Sequence, residues 1–360
     1  MGGGSLNREE IRSTLTKLLR LYSPSGREEK AVSFLHSILS SLNIKSQIDE
    51  VGNLIAYKDG LPKVMLAGHI DTVRGKLPIR VDDGIVWGRG AVDAKGPLIS
   101  LLNAFQRYEG KLGLVFAALV DEEAESRGAK FLSMKKPLAK YAIFGEPTGL
   151  RAAAVAHRGS ITFRLEIECG GGHSSTSWAY NNPILLLMKI VEDLSSSFPT
   201  YKDNFKNVTV TLTGIHAKRS QGVPKRCIGY INLRYPPQYS AKEISSTLEN
   251  ILSTLPRECK FSLFQLTSFQ PYRSKIKGEL ISAFRLGFLK ITGSRPLFIR
   301  KLGTGDMSVI APSWNIEALT YGPGDPKLSH TTREHISIDD IITASDIILA
   351  TLNELEKVIC

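Results

Sequence analysis

The chain has 360 residues, with 46 Lys and Arg against 35 Asp and Glu, for a formal charge of +11. At 42% hydrophobic and 22% charged residues it is a globular sequence rather than a disordered one, and its length favours two domains over one core. Its longest apolar runs, such as Leu114 to Val120, are too short to span a bilayer. Its basic residues are scattered, with no arginine-rich or aromatic-interleaved run, which argues against nucleic acid as the partner and leaves an acidic partner or substrate.

In chain order, Met1-Gly2-Gly3-Gly4-Ser5 reads as an added or flexible lead-in, without an apolar signal core. Asn7 and Glu10 form a capping box for a helix carrying Ile11, Leu15, Leu18, Leu19 and Tyr22 at helical spacing. After the turn Ser23-Pro24-Ser25-Gly26, a second amphipathic helix carries Val32, Leu35, Ile38, Leu39 and Leu42. Leu54–Tyr57 and Val64–Ala67 have strand length, Lys95-Gly96-Pro97 opens a helix through Phe105, and Leu112–Val120 and Tyr141–Phe144 are buried strands. Strands alternating with helices imply a mixed, mostly parallel and covered α/β sheet. From Ser160 to Glu168 the pattern changes to alternation. A helix from Pro183 to about Leu194, strands Val208–Thr213 and Ile228–Arg234, a helix Ala241–Leu255 and a strand Lys260–Leu266 follow. This β-α-β-β-α-β order is that of a ferredoxin-like α+β sandwich. After about Lys275 the earlier rhythm returns, with a strand at Leu297–Ile299 and a last helix from Ile338 to about Leu355. The expected layout is a catalytic domain of residues 1–157 and 275–360 with an inserted domain of residues 158–274. The four cysteines, Cys169, Cys227, Cys259 and Cys360, are widely spaced without a Cys-x-x-Cys pair, and are expected as buried or inert thiols in a reducing cytoplasm.

Several apolar runs end in an acid or a histidine. Gly68-His69-Ile70-Asp71-Thr72-Val73 follows one strand, and Val120-Asp121-Glu122-Glu123 and Phe144-Gly145-Glu146-Pro147-Thr148 follow two others. Asp93 lies in the glycine-rich Gly88-Arg89-Gly90-Ala91-Val92-Asp93-Ala94-Lys95-Gly96, and His330 in Leu328-Ser329-His330-Thr331. An open α/β sheet builds its site at the carboxyl ends of its strands. A bare charge there is costly unless paired or metal-bound. Two His, three carboxylates and a further Glu suffice for two divalent metals and a general base. Asp71, two residues beyond His69, lies on the same side of the strand, within reach of the ring nitrogen that faces away from a metal.

Together these motifs, spanning nearly the whole chain, resemble the M20 metallopeptidases, which are dinuclear zinc amidohydrolases. The resemblance implies that Asp93 bridges two metals, zinc by default with cobalt or manganese fitting the same donors. His69 and Glu146 then complete one site and Glu123 and His330 the other, with Glu122 the general base, Asp71 the orienting acid, and a cis peptide at Asp93-Ala94. It further implies that the inserted domain is a dimerisation lid. His173 in Gly170-Gly171-Gly172-His173-Ser174-Ser175 would stabilise the transition-state oxygen across the homodimer, and Arg234 would contact a substrate carboxylate. Gly303 and Thr304, in Gly303-Thr304-Gly305-Asp306, match a Gly-Thr-Ser-Asp loop beside the substrate, with Gly in place of Ser. Gln221-Gly222-Val223-Pro224 departs from the family's Asn-x-x-Pro. Gly90 to Pro97, Arg300 to Thr304 and Tyr321 to His330 are similar to the amino-group carrier protein-lysine and -ornithine hydrolase branch. That similarity implies a small, strongly acidic carrier protein as substrate, which a chain at +11 suits. Acetylornithine or succinyl-diaminopimelate deacylases and carboxy- or dipeptidases share the same metal motifs. Asp325, near His330, has the charge to meet a lysine side chain but suits a turn better.

Overall fold

The computed structural model describes residues 7–61, 63–218 and 221–360, and the lead-in 1–5 lies outside them. The chain divides into two compact units. One comprises Met1–Ala156, Arg273–Arg300 and Gly305–Cys360, the other His157–Tyr272 and Lys301–Thr304. The expected junctions were 157/158 and 274/275, and the short stretch Lys301–Thr304 was not foreseen as part of the second unit.

In the first unit the strands Leu54–Lys58, Gly113–Leu119, Lys63–His69, Tyr141–Phe144 and Glu317–Thr320 lie side by side in that order. The last four run parallel, and Leu54–Lys58 is antiparallel at their flank. Every residue of Gly113–Leu119 is buried, as a sheet covered on both faces requires. The covering helices are amphipathic. Asn7 and Glu10 cap Arg8–Arg20 reciprocally, and the helix buries Ile11, Leu15, Leu18 and Leu19. The helices Glu279–Thr292 and Ile338–Ile359 approach so closely that a Cβ at Gly287 would lie 2.6 Å from the Thr351 amide nitrogen. Because the central strands are parallel, their carboxyl ends share one edge of the sheet. His69, Glu122 with Glu123, Glu146 and the segment leading to His330 all leave from that edge. A small sheet of Arg80–Asp82, Ile85–Trp87 and His335–Ser337 brings Glu334 onto the loop that holds Asp93.

The second unit has the four-stranded antiparallel sheet Thr209–Ala217, Arg226–Tyr235, Gly159–Glu168 and Lys260–Phe269, in that spatial order. This is the second, third, first and fourth strand of the β-α-β-β-α-β run, the ferredoxin-like arrangement. Alternate residues Ile161, Phe163, Leu165 and Ile167 pack against Leu187, Ile190 and Leu194 of one helix and Ile244 and Leu248 of the other. Asn182 caps the helix Pro183–Ser196, and a Ser240–Glu243 capping box starts Ala241–Ser253.

The expectation for the cysteines is corrected here. Cys169 and Cys259 form a disulfide, while Cys227 is a buried free thiol and Cys360 an exposed one. Glu168 pairs with Lys260 across neighbouring antiparallel strands, so the next residue outward on each strand meets its counterpart. A separation of 90 residues hides this meeting from the sequence.

Candidate metal centre

His69 is fully buried at the end of its strand. Its Nε2 lies 3.2 Å from Asp93 Oδ1 and 3.6 Å from Glu146 Oε1. His330 Nε2 lies 2.9 Å from Glu123 Oε1 and 3.4 Å from Asp93 Oδ2. The two oxygens of Asp93 are therefore turned to two different imidazoles. His69, Asp93 and Glu146 form one group with ligand atoms all within 4.8 Å of one another. Asp93, Glu123 and His330 form a second, and His69, Glu122 and Glu123 a third. Carboxylate and imidazole donors converging in this way are the set that zinc and similar divalent cations take.

The surroundings fix these side chains. His69 Nδ1 is 3.1 Å from the Asp71 backbone carbonyl and 3.4 Å from Asp71 Oδ1. The backbone of Asp71 thus shares with its carboxylate the contact expected of the side chain. That carboxylate also accepts the Glu122 amide at Oδ1 (3.1 Å), and the Glu123 amide (3.1 Å) and the Ser25 hydroxyl (2.7 Å) at Oδ2. Asp71 therefore anchors the backbone beneath both glutamates. Buried Glu334 accepts the amides of Gly90, Val92 and Asp93 at one oxygen and the Arg89 guanidinium at the other, at 2.8–3.1 Å. The Asp93–Ala94 peptide is cis. Gly322 lets the chain pass the Glu146 loop, since a Cβ there would come within 2.6 Å of the Glu146 carbonyl oxygen.

The electrostatics are those of a crowded acidic site. Burial pushes Glu122 well above the ordinary carboxylate range, with His69 opposing and Glu146, Asp306 and Glu123 adding to the rise. Burial raises Glu123 to about 7, Asp93 adding and the imidazoles opposing. Its hydrogen bond to Asp93 raises His330 to about 9 against the effect of burial. His69 loses proton affinity by burial, but Asp71, Asp93 and the nearby glutamates outweigh this and hold it well above its usual value. The raised proton affinities offset part of the charge of the cluster, and a divalent cation held by these donors would supply the same compensation.

Asp306 has no role assigned from the sequence. It is 4% exposed, and neither of its carboxyl oxygens has a hydrogen-bond partner among the described residues. Burial pushes it up to about 8 in the field of Glu146, Asp71 and Glu123, with His69 opposing. The signal for it was a faint one, an acid some way beyond the short apolar run Leu297–Ile299, which Arg300 and Lys301 end. Asp325 is exposed and caps its own turn, accepting the Lys327 amide at 2.9 Å.

His173, Arg234, Gly303 and Thr304 belong to the second unit. His173 is exposed at the start of a short 3₁₀ turn. Its Nδ1 lies 3.2 Å from the Ser175 amide, which donates to it, and 2.7 Å from the Ser175 hydroxyl. Arg234 is half-buried, with a buried Nη1 that has no partner among the described residues. Arg158, also missed from the sequence, lies beside it and donates to Thr209 Oγ1 at 2.8 Å and to the Arg234 carbonyl. Burial, and then the neighbouring Arg234 charge, lowers the Arg158 pKa. The Gly303 backbone bonds the buried imidazole of His157, which burial, with Lys301 nearby, pushes down to about 3.

This fold and donor set are those of a metal-dependent hydrolase. The model of Peptidase family M20/M25/M40 matches residues 65–354, and the chain belongs to that family. It is 32% identical over 354 residues to the LysW-lysine/LysW-ornithine hydrolase of Sulfurisphaera tokodaii, covering 97% of each chain. It is 33% identical over 356 residues to the protein of the same name from Saccharolobus solfataricus, again covering 97% of each. Among solved structures it resembles the M20 family metallo-carboxypeptidase Sso-CP2 from Sulfolobus solfataricus. The TM-score is 0.78 at 18% identity, covering 96% of this chain and 99% of that one, a likeness of fold alone.

Proposed function

We propose that the chain is a dinuclear metal-dependent amidohydrolase. It releases lysine, with ornithine as a second product, from the γ-carboxyl of the C-terminal Glu of a small acidic amino-group carrier protein, in amino-acid biosynthesis in the cytoplasm. The observation that carries the metal assignment is the Asp93 carboxylate, whose oxygens turn to His69 and His330 in two separate ligand groups. His69 and Glu146 would hold one ion and Glu123 and His330 the other, with Asp93 shared and zinc the default. The bound ions supply Lewis acidity toward water and the amide carbonyl.

The remaining chemistry belongs to the side chains. Glu122, part-buried beside the cluster and with its proton affinity raised well above a usual carboxylate by burial, takes a proton from water and returns it to the leaving amine. Asp71 holds its backbone. Across the homodimer, the His173 imidazole would donate to the developing oxyanion in the neighbouring subunit, and Arg234, with Gly303 and Thr304, would meet a substrate carboxylate. The second unit is the dimerisation lid, with Leu185 and Met188 exposed on one of its helices. The substrate assignment is supported by the names of the relatives and by the +11 charge. No helix among the described residues is long and apolar enough to cross a membrane.

Calorimetric titration of chelator-stripped protein with zinc tests the metal assignment. Two equivalents are expected to bind, Asp93→Ala should lose both, and His330→Ala should lose one. A single site in the unaltered protein would contradict it.

A further inference from the structure

In the second unit, the end of the strand Thr209–Ala217 and the segment after Val223 enclose an open cleft of about 840 Å³. Ile215, His216, Lys218, Pro224, Lys225 and Arg226 line it. Lys218 and Lys225 are exposed, and no carboxylate pairs with either among the described residues. Arg226 shares the single carboxylate of Glu166 with Arg164, so the wall keeps a positive excess. Between the cations lie apolar surfaces, Pro224 and Ile215, the latter 43% exposed.

The Lys225 side of the cleft is built onto paired backbone. The Lys225 carbonyl accepts the Cys169 amide at 2.8 Å, and Cys169 is tied to Cys259 by the disulfide. Gly172 and His173 pair with Val223 and Gly222, directly before Pro224. Gly171 lets the Lys225 side chain pass, since a Cβ there would come within 2.7 Å of Lys225 Cγ. One wall of the cleft is therefore continuous with the strand that pairs with His173.

We infer that this cleft docks an acidic, carboxylate-bearing segment of the carrier protein, an assignment that rests on the function proposed above. Charge complementarity selects the occupant: exposed lysines without counter-ions attract an acidic surface and speed encounter. The apolar floor suits side chains of a folded protein better than a phosphodiester backbone, whose recognition relies on phosphate contacts and stacking. Docking here places the carrier against the same short ribbon that presents His173.

The test compares two substrates, the lysine-loaded carrier and the dipeptide γ-glutamyl-lysine, which has the same scissile amide but no carrier body. In the charge-reversed variant Lys218→Glu/Lys225→Glu, KM for the loaded carrier should rise about tenfold or more at low salt. kcat/KM on the dipeptide should stay as in the unaltered protein, which also shows that the variant folds. High salt should remove most of the difference on the carrier. Lys218→Arg/Lys225→Arg should keep the original KM. An unaltered protein that cleaves both substrates, with a reversed variant whose carrier KM is unchanged, would overturn the docking site alone. Loss of affinity for a fluorescent single-stranded oligonucleotide, or a change in oligomeric size, with that same unchanged KM would overturn it in favour of nucleic acid or a second copy. Cleavage of the dipeptide but never of the carrier would overturn the proposed substrate and the docking site with it.

Discussion

Replacing Asp71 by Asn keeps its shape and removes one acceptor. Besides its contact with His69, the buried carboxylate accepts three hydrogen bonds, from the Glu122 amide at one oxygen and from the Glu123 amide and Ser25 hydroxyl at the other. Burial raises its pKa, but the bond and charge of His69, Ser25 and the Glu123 amide outweigh burial and keep it ionised below the ordinary range. The Asn oxygen can satisfy Ser25 and Glu123, and its NH₂ then faces the Glu122 N–H, donor against donor. One charge-assisted bond is lost, about 1.5–3 kcal/mol, at the backbone of Glu122, the proposed general base. His69 loses its anionic neighbour as well, which costs roughly 10–100-fold in metal affinity, or about 1.4–2.7 kcal/mol. The two effects separate in a metal titration of lysine release. At limiting metal both act. At saturating metal the affinity loss vanishes, and kcat should remain lower by on the order of 100-fold, because Glu122 is displaced. A kcat that returns to the original value at saturating metal would refute the claim that Asp71 anchors the base.

Glu122→Ala should bind zinc with unchanged stoichiometry while kcat falls by about 10²–10⁴-fold; retained turnover with lost metal would reverse the assignment. Cys169→Ser/Cys259→Ser opens a loop closed across 90 residues. Chain entropy puts the cost at about 4–5 kcal/mol in urea unfolding, and four titratable thiols in the unaltered denatured protein would contradict the bond. In chelator-stripped protein Glu123, Asp306 and His330 all have folded-state values raised above their ordinary ones, to about 7, 8 and 9. Each raised group stabilises the fold at low pH and loses that contribution as pH rises through its folded value. The melting temperature of the stripped protein should therefore fall as pH rises from about 5 to 7, before buried Lys95, lowered to about 7, adds the opposite slope, and saturating zinc should flatten the fall. A stripped protein that grows more stable across that window would contradict this.

The central strands were legible because apolar runs of strand length end in turn residues, and Lys63–His69 and Gly113–Leu119 end close to where the runs Val64–Ala67 and Leu112–Val120 stop. Helices with strong periodicity and local caps, such as Arg8–Arg20 and Ala241–Ser253, were legible for the same reason. Arg80–Asp82, Ile85–Trp87 and His335–Ser337 were not, since three residues are too few to show alternation. Nor was Asp306–Trp314, which begins at an unrecognised buried acid and contains Pro312. For the candidate site, acids and histidines at strand ends were visible one by one, but what joins them is tertiary. Glu334 reaches the Asp93 loop from 241 residues away, and Arg158 meets Arg234 across 76. The disulfide was missed for the same cause, because the strand register that brings its cysteines together is not written in their spacing.

The most direct measurement of the central claim is amino-acid release, with and without chelator, from the lysine-loaded acidic carrier and from free N-acetylornithine side by side. The account predicts release from the carrier alone, abolished by chelator and restored by zinc. Release from acetylornithine alone, or release from the carrier that chelator leaves untouched, would contradict it.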